Sequence, residues 1–256
     1  MKVQVFAFEG LGGFNSEPEE GELNSGRLSL SQVAHFWKPM VERLKGTEWH
    51  YYPGMNLSLN PREGVQAITT QAKEIRDVAK TDVSETGETQ CYDRIVLLGY
   101  SYGGDSVVSV TKKLKDYGIR VDLVITADSY KKWHGLRIRG RSFSKTPNVT
   151  KWHNYYQKAE WPLVRASVFP GLPIRGYGVD GAETNEELDM SAFTVQNYFV
   201  AKEILNRKPE NWQGKMRRKP HVWIPAHDKV LRMIAASIAP LEPTRADYSY
   251  SDGSDE

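Results

Sequence analysis

The chain has 256 residues, of which 39% are hydrophobic and 26% charged, and it carries a net charge of +2. This length favours one α/β domain with a sizeable core over two full domains, and the balanced charge argues against nucleic acid as the main partner. Cys91 is the only cysteine, which excludes an intrachain disulfide. The sequence has neither the h-region of a signal peptide nor a run of roughly 18 apolar residues, so we expect a cytoplasmic protein without a membrane span.

The first half of the chain alternates strand-like and helical patterns. Residues Val3–Phe8 predict a first strand, and the polar stretch "NSEPEEGELNSGRL" predicts a mobile surface loop. A helix is predicted at residues 30–44, because the apolar residues there recur on one face. "WHYYP" predicts a short strand ended by Pro53, and residues 65–78 predict a second helix. Such alternation is typical of a mostly parallel sheet that is covered by helices on both faces.

The segment "IVLLGYSYGGDSV", residues 95–107, carries the most specific motif. Its first apolar residues predict a strand buried on both faces, and the apolar residues that follow recur at helical spacing. Ser101 would then lie on a tight turn, where Gly99 and Gly103 remove Cβ atoms that would clash. We expect a strained backbone at Ser101 that exposes its Oγ atom. This is the G-x-S-x-G pattern of a nucleophile elbow, and the alternative is a glycine-rich turn with an inert serine, as in phosphate-binding loops.

The second half continues the alternation. "VDLVITADSY" and "NVTKWHNYYQ" each predict a strand, and residues 191–206 and 229–239 predict late helices. The tail, residues 243–256, is acidic and is expected to be disordered. We therefore expect an α/β fold, a three-layer α/β/α sandwich with a mostly parallel central sheet, in a single domain of residues 1–242.

Four segments of the chain resemble the α/β-hydrolase superfamily, and within it the small cap-less serine hydrolases of the esterase, lipase and thioesterase kind. They are "FEGLGG" after the first strand, "GYSYGGD" at the elbow, "VDLVITAD" on the next strand and "HVWIPAHDKV" near the C-terminus. Only the elbow is specific by itself, but the order serine, acid, histidine matches that of the superfamily. The resemblance implies the α/β-hydrolase fold and a serine hydrolase that cleaves a carboxylic ester or thioester through an acyl-enzyme, without a metal or an organic cofactor.

A serine nucleophile needs a neighbouring base, and the base needs an acid that fixes its tautomer. We predict Asp128 as this acid, because it ends the apolar run "LVIT" and would emerge at the carboxyl edge of a strand beside the elbow strand. In most of the superfamily the acid comes one strand later, so Asp180 is the fallback, and a turn or capping role for Asp128 is the alternative. Asp105 is expected in the first turn of the helix after the elbow, where the helix dipole favours it.

The base is one of six histidines. We predict His221, which precedes "VWIPAHDKVLRMI", a segment similar to the loop-and-helix element that carries histidine in the superfamily. His227 is the competing candidate, and we expect it near the start of the last helix, with Asp228 as the capping residue. Two of the other histidines are expected to be structural and two are candidates for substrate contacts: His35 and His50, and His134 and His153, respectively.

The transition state of acyl transfer carries an oxyanion, which backbone N–H groups must meet. The resemblance implies one donor from Tyr102 and another from Leu11 or Gly12 in "GLGG". Glu9 stands where many relatives have histidine, and a carboxylate there would oppose a developing anion. We therefore expect Glu9 to point away, to pair with a lysine or arginine, or to be protonated.

A basic segment follows Asp128. No acidic residue occurs between Asp128 and Glu160, while lysines and arginines alternate with aromatic residues. We predict that Arg137, Arg139 and Arg141 bind an anionic part of the substrate. A nucleic-acid surface and a solvated basic loop are the alternatives.

Two other functions use the same predicted residues. A catalytically inactive hydrolase fold would serve as a binding module, and an acyltransferase would pass the acyl group to an alcohol or amine rather than to water. The sequence does not separate hydrolysis from transfer, because the difference depends on how well the site excludes water.

Overall fold

The structure is a computed structural model, and it describes residues 2–10, 32–53, 61–81, 91–129, 143–157, 161–162, 173–174, 176–189 and 224–241. The strands in these ranges are β1 (Val3–Phe8), β2 (Thr47–Tyr52), β3 (Lys80–Thr81), β4 (Cys91–Tyr92), β5 (Arg94–Tyr100), β6 (Val121–Ala127), β7 (Phe143–Ser144), β8 (Val149–Tyr156), β9 (Trp161–Pro162), β10 (Pro173–Ile174), β11 (Val179–Asp180) and β12 (Thr184–Glu187). The α-helices there are α1 (Gln32–Phe36), α2 (Lys38–Val41), α3 (Pro61–Ala79), α4 (Tyr102–Asp116) and α5 (Asp228–Ile238). Two short 3₁₀ helices, Ile224–Ala226 and Ala239–Leu241, flank α5.

Six strands form one parallel sheet in the order β12, β8, β6, β5, β1, β2. This confirms the predicted α/β class and the parallel sheet at its centre. The chain starts in β1, adds β2 on one side and then places β5, β6, β8 and β12 in turn on the other side. The carboxyl ends of β1 and β5 therefore flank the point at which the strand order reverses, which is where open parallel sheets bind their ligands.

Helices pack on both faces of this sheet, because successive strand residues point into two different apolar clusters. One cluster joins Val3, Val5 and Ala7 of β1 to residues of α1, α2 and α5. The other cluster joins Phe6 and Phe8 to residues of α3 and α4. The centre of the sheet is thus buried on both sides, and in the described ranges no helix is long and apolar enough to cross a membrane.

The helix predicted at residues 30–44 is instead two short helices, α1 and α2, which are separated at Trp37. Pro39 lies in the first turn of α2, and a proline starts a helix more readily than it continues one because it lacks a backbone N–H. The predicted apolar face is confirmed: Trp37 is fully buried, and its Nε1 donates to the carbonyl oxygen of Pro225 at 2.9 Å. The predicted loop after β1, the helix at 191–206 and the acidic tail lie outside the described residues.

Helix α4 approaches the ends of β1 and β6 so closely that only glycine fits at three positions. A Cβ atom on Gly103 would lie 2.1 Å from the carbonyl oxygen of Phe8, and a Cβ atom on Gly99 would lie 2.8 Å from a side chain of α4. These are the two glycines that the motif predicts to be necessary. Gly104 is constrained as well, since its Cβ atom would lie 1.9 Å from Oγ of Ser129.

We predict that Gly103→Ala lowers the free energy of unfolding by about 3 kcal/mol, because the added methyl group forces α4 away from the backbone of β1. Gly118→Ala is the matched control. Gly118 has a φ of +71° but nothing within 4 Å of its Cβ position, so this variant should lose only about 1 kcal/mol through backbone strain. Urea denaturation followed by circular dichroism measures both values, and equal losses would contradict the close approach of α4.

Candidate active site

Ser101 occupies the turn between β5 and α4, with backbone angles φ 56° and ψ −122°. A positive φ strains a residue that has a Cβ atom, so the predicted strain at Ser101 is confirmed. Ser101 is the N-cap of α4, yet its side chain makes no capping hydrogen bond, unlike most serines at this position. Its N–H donates to the carbonyl oxygen of Ala127 at 3.1 Å, and its own carbonyl oxygen accepts from the N–H of Gly104 at 3.0 Å. The turn is therefore fixed both to β6 and to the start of the helix.

The serine is less accessible than the motif predicts, since Ser101 is only 4% exposed. Gly10 lies directly against it, because a Cβ atom on Gly10 would be 3.0 Å from Cβ of Ser101 and 3.1 Å from the ring of Tyr100. Ser101 as a whole residue is thus buried beside Gly10. The same contact places the beginning of the "GLGG" segment beside the serine.

Asp128 follows β6 at the position that corresponds to Ser101 after β5, because Tyr100 and Ala127 are paired residues of these adjacent strands. Asp128 is completely buried and has a φ of 50°, and its N–H donates to the carbonyl oxygen of Tyr155 at 2.6 Å. Among the described residues other than glycine, only Ser101 and Asp128 have a positive φ. The residues predicted as nucleophile and acid are thus the two with strained backbones, at the ends of neighbouring strands.

The carboxylate of Asp128 is held by Gln157, a residue that the sequence motifs do not predict. Gln157 is completely buried directly after β8; its N–H donates to Oδ1 at 3.2 Å and its Nε2 donates to Oδ2 at 3.0 Å. Gly176 closes another side of the carboxylate, because a Cβ atom there would lie 2.2 Å from Oδ1. The one sequence signal for Gln157 is its position in the chain. It directly follows β8, the strand next to β6, and so lies at the same carboxyl edge of the sheet as Asp128.

Asp180, the fallback for the acid, lies in β11, which pairs with β7 outside the six-stranded sheet. It is exposed, and its carbonyl oxygen accepts from the N–H of Lys145. Asp128, by contrast, is completely buried directly after β6, beside the elbow strand.

Glu9 is 3% exposed, and its carboxylate accepts hydrogen bonds from the backbone N–H groups of Gly10 at 3.1 Å and Val33 at 2.9 Å. The hydroxyl of Tyr51 donates to the same carboxylate at 3.5 Å. Tyr51 belongs to β2, which lies on the side of β1 opposite to β5. Oε2 is therefore directed toward α1 and β2, while Oε1 accepts from the N–H of Gly10.

Only part of the predicted site falls within the described residues. Tyr102 is the first residue of α4, where backbone N–H groups are not used by the helix itself. Asp105 lies in the first turn of α4, as predicted. The predicted residues outside the described ranges are His221, Leu11, Gly12, Arg137, Arg139, Arg141 and His134.

His227, rather than the predicted Asp228, is the N-cap of α5. Its backbone is extended, with ψ 134°, so that Nδ1 can accept from the N–H of Lys229 at 3.2 Å, while Asp228 is already the first helical residue. Burial, and after it the charge of Lys229, lowers the pKa of His227 to about 4. The ring is thus neutral at pH 7 and carries its hydrogen on Nε2. A catalytic base of the serine hydrolase type needs the opposite tautomer, with hydrogen on Nδ1, which argues against His227 as the base.

The other described histidines have structural positions. His35 is buried in α1, and Nε2 of His50 lies 2.7 Å from Oε1 of Gln4. His153 lies in the middle of β8, with Nδ1 2.9 Å from Oγ1 of Thr184. Burial lowers the pKa of both His50 and His153. Because His153 is not at the carboxyl end of its strand, its position does not support a contact with substrate.

Tyr100 is a buried phenol directly before Ser101. Burial raises the pKa of Tyr100 well above its usual value, and the charges of Asp128 and Glu9 raise it further. Tyr100 therefore stays protonated at physiological pH.

Comparison with the models of known protein families finds no match for this chain, and comparison with curated proteins finds none either. Within the described ranges, no group of three or more His, Cys, Asp and Glu side chains is arranged to hold a metal ion. A function must therefore be argued from the geometry of the elbow and its neighbours.

We predict that His227→Asn, which keeps a capping side chain, makes stability less dependent on pH. The pKa of His227 is about 4 in the folded protein, against 6.5 for an ordinary histidine. As the pH falls below about 6.5, His227 takes up a proton in the unfolded chain but not yet in the folded protein. Its contribution to the free energy of unfolding is therefore complete above that pH and is lost toward pH 4. Between these pH values the free energy of unfolding of the wild type should fall by roughly 1 kcal/mol per pH unit more than that of the variant.

Urea denaturation of both proteins at pH 7, 6 and 5 measures this difference. Parallel pH dependences in the wild type and the variant would contradict a neutral, buried His227.

Proposed function

We propose that this chain is a serine hydrolase with the α/β-hydrolase fold, which cleaves a carboxylic ester or thioester through an acyl-enzyme. Ser101 is the nucleophile, His221 is the general base, and Asp128 is the acid that orients the base. Backbone N–H groups of Tyr102 and of Leu11 or Gly12 stabilise the oxyanion. The reaction requires neither a metal nor an organic cofactor.

One observation carries the proposal. The two residues that sequence reasoning selects as nucleophile and acid are the only described non-glycine residues with positive φ, and they end adjacent parallel strands. Backbone strain of this kind costs about 1 to 3 kcal/mol at each residue and concentrates at functional sites. An inert glycine-rich turn would explain the strain at Ser101 but not its coincidence with a buried, strained aspartate on the next strand.

The proposed oxyanion site is supported by two further contacts. Tyr102 begins a helix of 15 residues, whose N-terminal end attracts negative charge. Gly10, the first residue of the "GLGG" segment, packs against Ser101. Oε2 of Glu9 does not oppose this arrangement, because it accepts from the N–H of Val33 and the hydroxyl of Tyr51.

In the proposed reaction, Oγ of Ser101 attacks the carbonyl carbon while its proton passes to His221. Asp128 stabilises the imidazolium that forms. The bond between the carbonyl carbon and the leaving oxygen or sulfur then breaks, and the leaving group takes the proton from His221. Water, deprotonated by the same histidine, hydrolyses the acyl-enzyme and restores Ser101. Arg137, Arg139 and Arg141 remain the proposed contacts for an anionic substrate.

The burial of Ser101 favours a second candidate. At 4% exposure, the serine is covered in this conformation, as expected for an inactive hydrolase fold that serves as a binding module. A covered serine is also shielded from water, and an acyltransferase requires such shielding. Reactivity of Ser101 separates the binding module from the proposed hydrolase. The product formed from the acyl-enzyme separates the acyltransferase from the hydrolase.

We predict that a fluorophosphonate labels the wild-type protein at one serine and that Ser101→Ala abolishes this labelling. Ser106→Ala is the matched control, because Ser106 lies one helical turn away in α4 and donates to the carbonyl oxygen of Tyr102 at 3.4 Å. It should label like the wild type. Intact mass and peptide mapping identify the modified residue. A wild type that resists labelling would favour the binding module, and equal labelling of Ser101→Ala would exclude Ser101 as the nucleophile.

We predict that His221→Ala loses activity toward p-nitrophenyl esters nearly as completely as Ser101→Ala, and that the double variant is no worse, because the two groups act as a unit. His227→Ala should keep most of the activity, since His227 is a capping residue. Asp128→Asn should lower kcat roughly 10⁴-fold while the fold is retained. Steady-state kinetics with circular dichroism as the folding control tests all five variants, and an inactive His227→Ala beside an active His221→Ala would exclude the assigned base.

A further inference from the structure

We propose that Gln157 is a positioning residue: it holds the carboxylate of Asp128 in the orientation in which that carboxylate accepts the N–H of the catalytic imidazole. The inference rests on the proposed function, in which Ser101 and Asp128 belong to one catalytic unit. It goes beyond that function because the sequence motifs assign no role to Gln157.

The contacts between the two residues fix the carboxylate in its plane. Gln157 supplies one donor to each carboxylate oxygen, its backbone N–H to Oδ1 at 3.2 Å and its Nε2 to Oδ2 at 3.0 Å. Rotation of the carboxylate would break both bonds at once. The backbone of Asp128 is fixed as well, because its N–H donates to the carbonyl oxygen of Tyr155, and Gly176 closes the side next to Oδ1.

The chemistry of the amide suits this role. A carboxylate can accept about four hydrogen bonds, which is more than the two that Gln157 donates. A neutral amide also orients the carboxylate without cancelling its charge, as the guanidinium of an arginine would. Gln157 therefore adds no positive charge that would compete with the imidazolium for Asp128.

A purely structural role has a different consequence. A buried carboxylate needs hydrogen-bond donors for stability wherever it lies, and loss of a donor then lowers the stability of the fold without changing the chemistry of a folded molecule. A positioning role instead changes the reactivity of Ser101 in molecules that are folded. The decisive measurements are therefore rates, not melting temperatures.

Three variants of the full chain separate these roles. Gln157→Leu removes the side-chain donor, and Gln157→Glu keeps the shape of the side chain but replaces the amide with a carboxyl group. The matched control is Asn154→Leu. Asn154 is a fully buried amide within β8, which donates to the carbonyl oxygen of Tyr177 at 3.0 Å and to Oδ1 of Asn185 at 2.8 Å.

Labelling of Ser101 by a fluorophosphonate and hydrolysis of a p-nitrophenyl ester are measured on variants that circular dichroism shows to be folded. In Gln157→Leu we expect the second-order rate of labelling to fall roughly 10- to 100-fold, as for other losses of catalytic alignment. The kcat value should fall by a similar factor, with KM nearly unchanged. Asn154→Leu should lose stability but label at the wild-type rate.

Gln157→Glu tests the pH dependence of the labelling rate, which a purely structural role of Gln157 would not change. Two adjacent buried carboxyl groups share one proton at low pH, because both cannot ionise together at that distance. Near pH 6 the shared proton preserves a hydrogen bond to Asp128, so the labelling rate should approach that of the wild type. The ratio of variant to wild-type rate should fall about tenfold or more between pH 6 and pH 9, as the pair ionises. Tyr100, whose pKa is raised by burial and then by the charges of Asp128 and Glu9, stays protonated in this range.

The outcomes distinguish this inference from the proposed function. If the wild type is not labelled at Ser101, the proposed function and the role of Gln157 both fail. If the wild type is labelled but both Gln157 variants react at its rate at every pH, the inference alone fails. If Gln157→Leu does not fold, the pH dependence of the Gln157→Glu ratio decides: a falling ratio supports the positioning role, and a constant ratio overturns it.

Discussion

The close approach of helix α4 to the end of strand β1 constrains everything at the carboxyl edge of the sheet. The Cα atom of Gly103 lies so near the carbonyl oxygen of Phe8 that a Cβ atom there would be 2.1 Å from it. The chain must therefore pass from strand to helix within a single residue, and Ser101 takes a φ of 56° to do so. Backbone strain of about 1 to 3 kcal/mol persists because apolar clusters on both faces hold β5 and α4 in place.

The same edge of the sheet buries two carboxylates, and each one connects two parts of the fold. Glu9 joins the end of β1 to the first residues of α1 through the N–H of Val33. Asp128 joins the end of β6 to the residue after β8, through both donors of Gln157. Burial of a carboxylate is costly unless donors replace the lost water, and in both cases backbone or amide N–H groups supply them. These polar contacts fix the segments that border Ser101.

The proposed hydrolase chemistry needs this fixed geometry and also needs access. A reacting acyl carbon must come within roughly 3 Å of Oγ, whereas Gly10 packs against Ser101 in this conformation. In the proposed reaction, substrate must therefore displace Gly10 or enter beside it. Glu9, the residue before Gly10, is anchored by the N–H of Val33 and the hydroxyl of Tyr51, so any displacement of Gly10 starts from a fixed point directly after β1.

The sequence by itself determined the parallel α/β sheet and the strand, turn and helix around Ser101. Continuous apolar runs, helical spacing and the glycines of the elbow are local patterns, and local patterns report local structure. The sequence also indicated Asp128, because it directly follows an apolar strand. Local spacing did not reveal that Pro39 divides the predicted first helix, although the proline itself was a visible signal.

Only the tertiary structure decided which residues surround Ser101 and Asp128. Gln157 reaches Asp128 because β6 and β8 are neighbours in the sheet, although 29 positions separate the residues along the chain. Oε2 of Glu9 meets the N–H of Val33 and the hydroxyl of Tyr51 because α1 and β2 both lie beside the end of β1. His227 is a capping residue because the extended backbone before α5 brings its ring to the N–H of Lys229. Hydrogen-bond partners of this kind depend on strand order and side-chain direction, and those are set by the packing of the whole sheet.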